Sequence, residues 1–320
     1  MSARQITAAT VATEIDTATR TTMRAARIHE YGGPENIRFD VVPVPLPGPG
    51  AVLIRVAATS FNPSETALRS GALQAFMPLT LPYTLGWDVA GTVVEIGSGV
   101  TEFVPGDRVI GRLDAGGAAA EYVVADTELL AVAPAELPLE TSAAIPVAAL
   151  SAWQAVFEHA KVVPGQRVLI NGAGGGVGGF AVQLAKRAGA VVLATASARS
   201  AAAIRAVGAD QIIDYTRDPL PAGVDAVINL AAIDSDAAAV LATLVRPGGA
   251  LVSIATPIPA ATAVHFVTRN DAAQLARIVA LVDAGELHID IAESLPLTEL
   301  AEVHHRSENG RIRGKITLRP

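Results

Sequence analysis

The chain contains no cysteine. A disulfide-stapled fold is therefore excluded, as is every zinc, iron–sulfur or haem centre that needs a thiolate. Aromatic residues make up only 4% of the sequence, a scarcity that weighs against a platform on which nucleic-acid bases stack. Basic residues are in the minority: 24 Lys and Arg against 31 Asp and Glu give a net charge of −7. A broadly basic surface for nucleic acid or an anionic membrane is thus not available. A long apolar run is also missing. The stretch from Pro247 to Thr268 is free of Asp, Glu, Lys and Arg, but Pro247, Pro257 and Pro259 break it, unlike the ~20 continuous apolar residues of a spanning helix. In residues 1–22, Glu14 and Asp16 stand where a signal peptide needs its apolar segment. That stretch is expected to be a disordered extension of a soluble, cytoplasmic protein.

What is present is ample apolar material, 51% of 320 residues, enough for about two domains. From Met23 to Pro146 the text is strand-like. Val52–Val56, Thr92–Ile96, Arg108–Ile110 and Tyr122–Val124 are β-rich runs separated by Pro45, Pro47, Pro49, Gly97, Gly99, Pro105 and Gly106. Short strands with such turns predict a barrel-like β domain. Beyond Thr141 the pattern changes. A helix is expected over Ala143–Ala160, and then strands centred on Val168, Val192, Ile212, Val227 and Leu251 alternate with helical stretches. That alternation predicts an α/β fold with a doubly wound parallel sheet. A helix over Asp271–Ala284 closes the region, and Arg311–Leu318 is expected to pair back onto the first domain.

The most informative stretch is Asn171-Gly172-Ala173-Gly174-Gly175-Gly176-Val177-Gly178-Gly179. It follows a predicted strand and opens a predicted helix, the context in which glycines let the backbone approach a pyrophosphate at a helix N-terminus. Ala173, Gly175, Gly176, Val177 and Gly178 are accordingly candidate dinucleotide contacts. An NAD site usually carries an acid ~20 residues further on. Here Ala196, Ser197, Ala198 and Arg199 occupy that place, and no Asp or Glu occurs between His159 and Ala209. A hydroxyl and a guanidinium suit a 2′-phosphate, so Ser197 and Arg199 point to NADPH. A short-chain dehydrogenase would need Tyr-x-x-x-Lys. The four tyrosines, Tyr31, Tyr83, Tyr122 and Tyr215, are followed at that spacing by Glu35, Trp87, Asp126 and Pro219.

Several further motifs stand in order: Phe61-Asn62-Pro63-Ser64 with Arg69-Ser70-Gly71, Gly86-Trp87-Asp88-Val89-Ala90-Gly91, Pro105-Gly106-Asp107-Arg108-Val109, and Arg313-Gly314-Lys315. With the glycine loop, they make the chain resemble the zinc-independent quinone oxidoreductase (zeta-crystallin-like) branch of the medium-chain dehydrogenase/reductase superfamily. The resemblance runs from about Met23 to the end. It implies a GroES-like catalytic domain over 23–146, a Rossmann domain over 147–286, and a C-terminal segment, 287–320, returning to the catalytic domain. Zinc-using relatives carry Cys at the place of Asn62 and His-Glu at Trp87-Asp88, so this member is expected to bind no metal.

The resemblance further implies hydride transfer from NADPH to an electron-poor acceptor, and a homodimer. A quinone is the leading acceptor. A 2-enoyl or enone substrate, including an enoyl thioester, remains open, as does a non-catalytic NADPH-binding protein on the same scaffold. Asn62 is the candidate catalytic residue, its amide donating to an acceptor oxygen or positioning the nicotinamide. Ser151 matches a hydroxyl facing the cofactor, and Lys186 a lysine reaching the adenosine phosphate. Tyr215 falls beside the adenine end. Asn229, Phe266 and Val267 fall where relatives contact the ribose and carboxamide, while Arg313 and Lys315 close the far end. Phe76, Met77 and Leu79, in the segment Ser64–Pro82, favour a small apolar acceptor.

Overall fold

A computed structural model describes residues 21–320. The expected disordered extension therefore lies outside the described residues, apart from its last two positions.

The first half is a β domain. Its elements are β1 (Thr22–Ile28), β2 (Ile37–Pro43), β3 (Ala51–Ser60), α1 (Pro63–Ser70), β4 (Tyr83–Thr84), β5 (Asp88–Ile96), β6 (Arg108–Arg112), β7 (Tyr122–Asp126) and β8 (Leu130–Val132). β3 is its spine, paired antiparallel with both β5 and β7. It is covered along most of its length, which is why Ala51–Ser60 reads as a nearly continuous apolar run rather than an alternating one. Gly91 in β5 sits against the Arg55 carbonyl, where a Cβ would collide with backbone. Helix α1 starts at Pro63, whose missing N–H is one that the first helical turn cannot use.

The second half begins with α2 (Leu139–Ser142) and α3 (Pro146–Trp153), the latter continuing into a π-helical turn over Gln154–His159. The helix expected over Ala143–Ala160 is thus present as one continuous run from Pro146 to His159, starting three residues later and ending in π geometry. Pro146 cannot continue a helix from Leu139, because it lacks an N–H and its ring crowds the preceding turn. Then follow β9 (Arg167–Asn171), α4 (Gly176–Arg187), β10 (Val191–Thr195), α5 (Ala201–Ala206), β11 (Gln211–Ile213), β12 (Val224–Asn229), α6 (Ser235–Leu244), β13 (Val245–Ser253), β14 (Ala263–His265) and α7 (Ala272–Asp283). The six strands form one parallel sheet in the order β11-β10-β9-β12-β13-β14. That is the doubly wound dinucleotide-binding order, with its switch point beside β9. Asp234 and Asp271 cap α6 and α7 by accepting from Ala237 N and Gln274 N. β14 falls inside the proline-broken stretch, beyond the strand expected at Leu251, and was not among the expected elements.

The chain then returns. β15 (Ile291–Pro296), α8 (Leu300–Glu308) and β16 (Lys315–Arg319) rejoin the first half, with Thr317 paired to Ser60 and Leu318 to Thr59 of β3. This is the expected closure, begun at Lys315 rather than Arg311. No helix among the described residues is long and apolar enough to cross a membrane.

Candidate functional site

The glycine loop leaves the carboxyl end of β9. Gly172 takes a positive φ of 84°, and its N–H donates to Thr195 Oγ1 at 2.9 Å. Thr195 in turn donates to Asn171 Oδ1 at 2.8 Å, and Asn171 donates to Asn229 Oδ1 at 2.9 Å. Three neighbouring strands are thereby locked at the edge where a ligand would lie. Gly175 caps α4, and Gly176, Val177 and Gly178 form its first turn. A Cβ on Gly178 would collide with the Ala173 backbone, so only glycine allows α4 to pack this close. The N–H groups of Gly176 and Val177 open the helix without carbonyls a turn earlier to receive them. These residues fit a dinucleotide pyrophosphate.

β16 straps this loop to the β domain. Gly314 N donates to Gly174 O at 3.1 Å, and Gly175 and Gly314 form a parallel bridge. The next residue, Lys315, runs past Gly176, where a Cβ would strike its aliphatic stem. Its buried ammonium donates to Asn62 Oδ1 at 3.0 Å, Phe61 O at 3.2 Å and Asp88 Oδ2 at 3.3 Å. The Asn62 amide donates to Asp88 Oδ2 at 2.9 Å and to Glu65 Oε1 at 3.2 Å, with Ser60 O further away at 3.4 Å. Ser60 Oγ also donates to Asp88 Oδ2. Asp88 Oδ1 accepts from Val147 N at 2.7 Å, which ties the cluster to the start of α3. Glu65 Oε2 accepts from Gly86 N at 3.0 Å. Ser60, Asn62, Glu65, Asp88 and Lys315 are all buried. Burial pushes the Glu65 carboxyl up to about 7, with the Asp88 charge adding to the effect and the bonds from Asn62 and Gly86 opposing it.

Asn62 therefore sits at the centre of this cluster, and its two amide hydrogens already face carboxylates. Three partners were not singled out from sequence as site residues: Ser60, Glu65 and Asp88. The Asn62-x-x-Glu65 spacing was a usable signal, since it resembles a helix-start capping box. In the fold the Asn62 side chain makes no cap bond, which leaves it for the cluster.

The other candidates fall into groups. Ser151, on α3, donates to Val147 O at 2.7 Å and lies 2.6 Å from Thr268 Oγ1. Arg112 of the β domain donates to Thr268 O, and Asn270 Nδ2 donates back to Arg112 O at 2.5 Å, so the 266–270 segment is clamped across the domain junction. Val267 on that segment is exposed, whereas Phe266 is buried and stacks on the His159 ring at 4.2 Å. Asn229 is buried at the end of β12 and also donates to Thr256 O. Ser197 and Arg199 follow β10 at the loop edge, and Arg199 donates to Gly310 O at 3.3 Å. Tyr215, past the end of β11, is exposed. Arg313 pairs with Asp290 at 3.2 Å beside the loop.

Lys186 is not brought to this site, which corrects the role that the resemblance implied for it. It lies in the last turn of α4, a helix that runs back to the amino edge of the strands. There it donates to Asp210 Oδ1 and Oδ2 at 2.9 and 2.8 Å, and to Ala190 O at 3.1 Å.

Family models match two regions, an alcohol dehydrogenase GroES-like domain over residues 48–135 and a zinc-binding dehydrogenase over 207–318. The chloroplastic quinone-oxidoreductase QR1 of Triphysaria versicolor is 33% identical over 93% of this chain and 98% of its own. This chain belongs to the quinone oxidoreductase branch of the medium-chain dehydrogenase/reductase superfamily. Among solved structures, the quinone oxidoreductase from Coxiella burnetii is 30% identical, with a TM-score of 0.84 over 93% of this chain and 99% of that one. Mycobacterial Rv1454c complexed with NADPH is 26% identical, with a TM-score of 0.82 over 93% of this chain and 100% of that one. This member is thus an oxidoreductase of the quinone reductase type. Among the described residues, donors suited to the zinc of one family description are not assembled. There is no thiolate, no group of three or more His, Cys, Asp or Glu among the described residues could hold a metal, and the oxygens of Asn62, Asp88 and Phe61 converge instead on the Lys315 ammonium.

Proposed function

We propose that the protein is an NADPH-dependent, metal-free quinone reductase that transfers hydride to a small apolar acceptor. One observation carries the cofactor choice. At the carboxyl end of β10 stand Ser197 and the exposed Arg199, with no acid between His159 and Ala209. A 2′-hydroxyl would favour an acid there, whereas a 2′-phosphate is matched by a hydroxyl and a guanidinium. The NADPH-bound mycobacterial neighbour supports the cofactor, and the names of the relatives support the acceptor.

The bound dinucleotide supplies the hydride. The first-turn N–H groups of α4 hold its pyrophosphate, and Ser197 and Arg199 hold its 2′-phosphate. Ser151 and the clamped 266–270 segment orient its nicotinamide end. The exposed Phe76 and Met77 offer apolar surface to the acceptor. Quinones suit a site without a metal Lewis acid, because the reduced oxyanion is stabilised within its own ring.

The test is oxidation of NADPH and of NADH by the chelator-treated protein, with a simple quinone beside an enoyl thioester. Turnover of NADPH with quinone, and little of NADH, is the expected result. A preference for the thioester would reassign the acceptor, and NADPH binding without turnover of any acceptor would overturn the catalytic reading.

A further inference from the structure

The Asn62 amide is fixed in orientation from two sides. Its Oδ1 faces the Lys315 ammonium at 3.0 Å and its Nδ2 faces Asp88 at 2.9 Å. A flip would set N–H against ammonium and oxygen against carboxylate, so the amide cannot turn. Of its two hydrogens, one is held by Asp88 and the other by Glu65 Oε1 at 3.2 Å. An acceptor oxygen can be served only if one hydrogen is released. Asp88 cannot release it, since Lys315, Ser60 and Val147 all lean on the same carboxylate. Glu65 has fewer partners: besides Asn62, its other oxygen receives Gly86 N.

Gly86 is pinned. It adopts a φ of +92°, and a Cβ there would strike the Ala119 backbone. A neutral carboxyl keeps only one strong acceptor, its carbonyl oxygen. With the immobile Gly86 N–H claiming that oxygen, the hydroxyl oxygen is left opposite Asn62, and the amide hydrogen keeps only the long contact to Ser60 O at 3.4 Å.

We infer that Glu65 is a positioning residue of the acceptor site: ionised, it holds an amide hydrogen of Asn62, and protonated, it frees that hydrogen for an acceptor oxygen. The charged and titratable groups around Glu65 are Asp88 of β5, Lys315 of β16 and Tyr83 of β4. On the same helix, Arg69 is turned to His304 and Glu308 of α8. Burial raises Glu65 to about 7, so the exchange falls in the physiological range. With Glu65 protonated, Asp88 and Lys315 balance, and the cluster is neutral. This inference rests on the proposed reduction of an acceptor oxygen only in its kinetic arm.

The first arm needs no turnover. In the full-length, nitrogen-15-labelled protein, the assigned side-chain amide signals of Asn62 are followed from about pH 5.5 to about pH 8.5. They are expected to move in one transition near neutrality, tracking the carbon-13 signal of the Glu65 carboxyl, and to stay still in Glu65→Gln. Asn62 signals that ignore the Glu65 titration overturn the inference. If the variant does not fold, the paired wild-type titrations decide alone. The second arm measures kcat and KM with quinone. For a group titrating near neutrality, kcat is expected to fall about thirtyfold between about pH 6 and about pH 8.5, while KM for NADPH stays level. In Glu65→Gln the fall shrinks to within about twofold. The same slope in the variant overturns the inference. A wild type inert toward quinone at every pH overturns the proposed function instead, leaving the spectroscopic arm to decide the role of Glu65.

Discussion

Lys315 Nζ lies 3.0 Å from Asn62 Oδ1, across 253 positions of sequence. The contact joins the last strand to the start of α1, and it does so immediately beside the Gly174–Gly314 bond that anchors the glycine loop. One side chain therefore connects the edge of the dinucleotide site to the buried polar cluster of the β domain.

Replacing Lys315 with Met should remove the counter-charge of Asp88 while roughly preserving volume. Breaking a buried pair from one side leaves an uncompensated charge, at a cost of about 3–5 kcal/mol. Urea unfolding would show this as a lowered midpoint. The double variant Lys315→Met/Asp88→Asn should regain part of the loss, because the stranded charge is gone.

Two neighbouring glycines should respond oppositely. In Gly178→Ala the new methyl meets the Ala173 backbone, and forcing α4 outward should cost about 1–3 kcal/mol and weaken dinucleotide binding. Gly179 has open space at its Cβ position. Gly179→Ala should therefore raise stability by about 0.5–1 kcal/mol through helix propensity. Thermal unfolding and cofactor fluorescence titration of the two variants check both.

Arg199→Ala should weaken NADPH binding by about tenfold or more, the worth of a charge-assisted bond to phosphate, and leave NADH binding nearly unchanged. Equal losses for both cofactors would place Arg199 away from the 2′-phosphate. Titration of both dinucleotides at fixed ionic strength makes the comparison.

Stability should carry the signature of Glu65. Its folded value of about 7 lies above the ordinary 4.5, so its favourable contribution is complete below about 4.5 and is lost as pH rises through about 7. The full span corresponds to about 3 kcal/mol. Unfolding free energies of wild type and Glu65→Gln across that window should converge at neither end equally: the gap between them changes between about pH 4.5 and about pH 7, then stays constant.

His304 titrates in the opposite sense. Burial, assisted by the Arg69 charge, lowers it to about 3. Its contribution is present above the ordinary 6.5 and is lost as pH falls toward about 3. His304→Gln should lessen the loss of stability on acidification, which denaturation midpoints at about pH 7 and about pH 4.5 would measure.

The order of strands and helices from β9 to α7 was legible because local rules govern it. Apolar runs such as Val168–Ile170 and Val191–Thr195, separated by helix-length segments, can bury themselves in few ways. The glycine loop was legible for the same reason: Gly172 and Gly178 answer backbone demands made within a few residues. Lys186 was misplaced from sequence, since its partner Asp210 becomes a neighbour only when β10 and β11 align. The buried cluster was the least legible part. Ser60, Glu65 and Asp88 look like ordinary surface polar residues until β16 brings Lys315 across to them beside β3 and all four are buried. Local chemistry in the chain determined which elements form and where phosphate can approach. Only the tertiary structure decided which charges lose their water, and with it the protonation of Glu65 and the hydrogens available on Asn62.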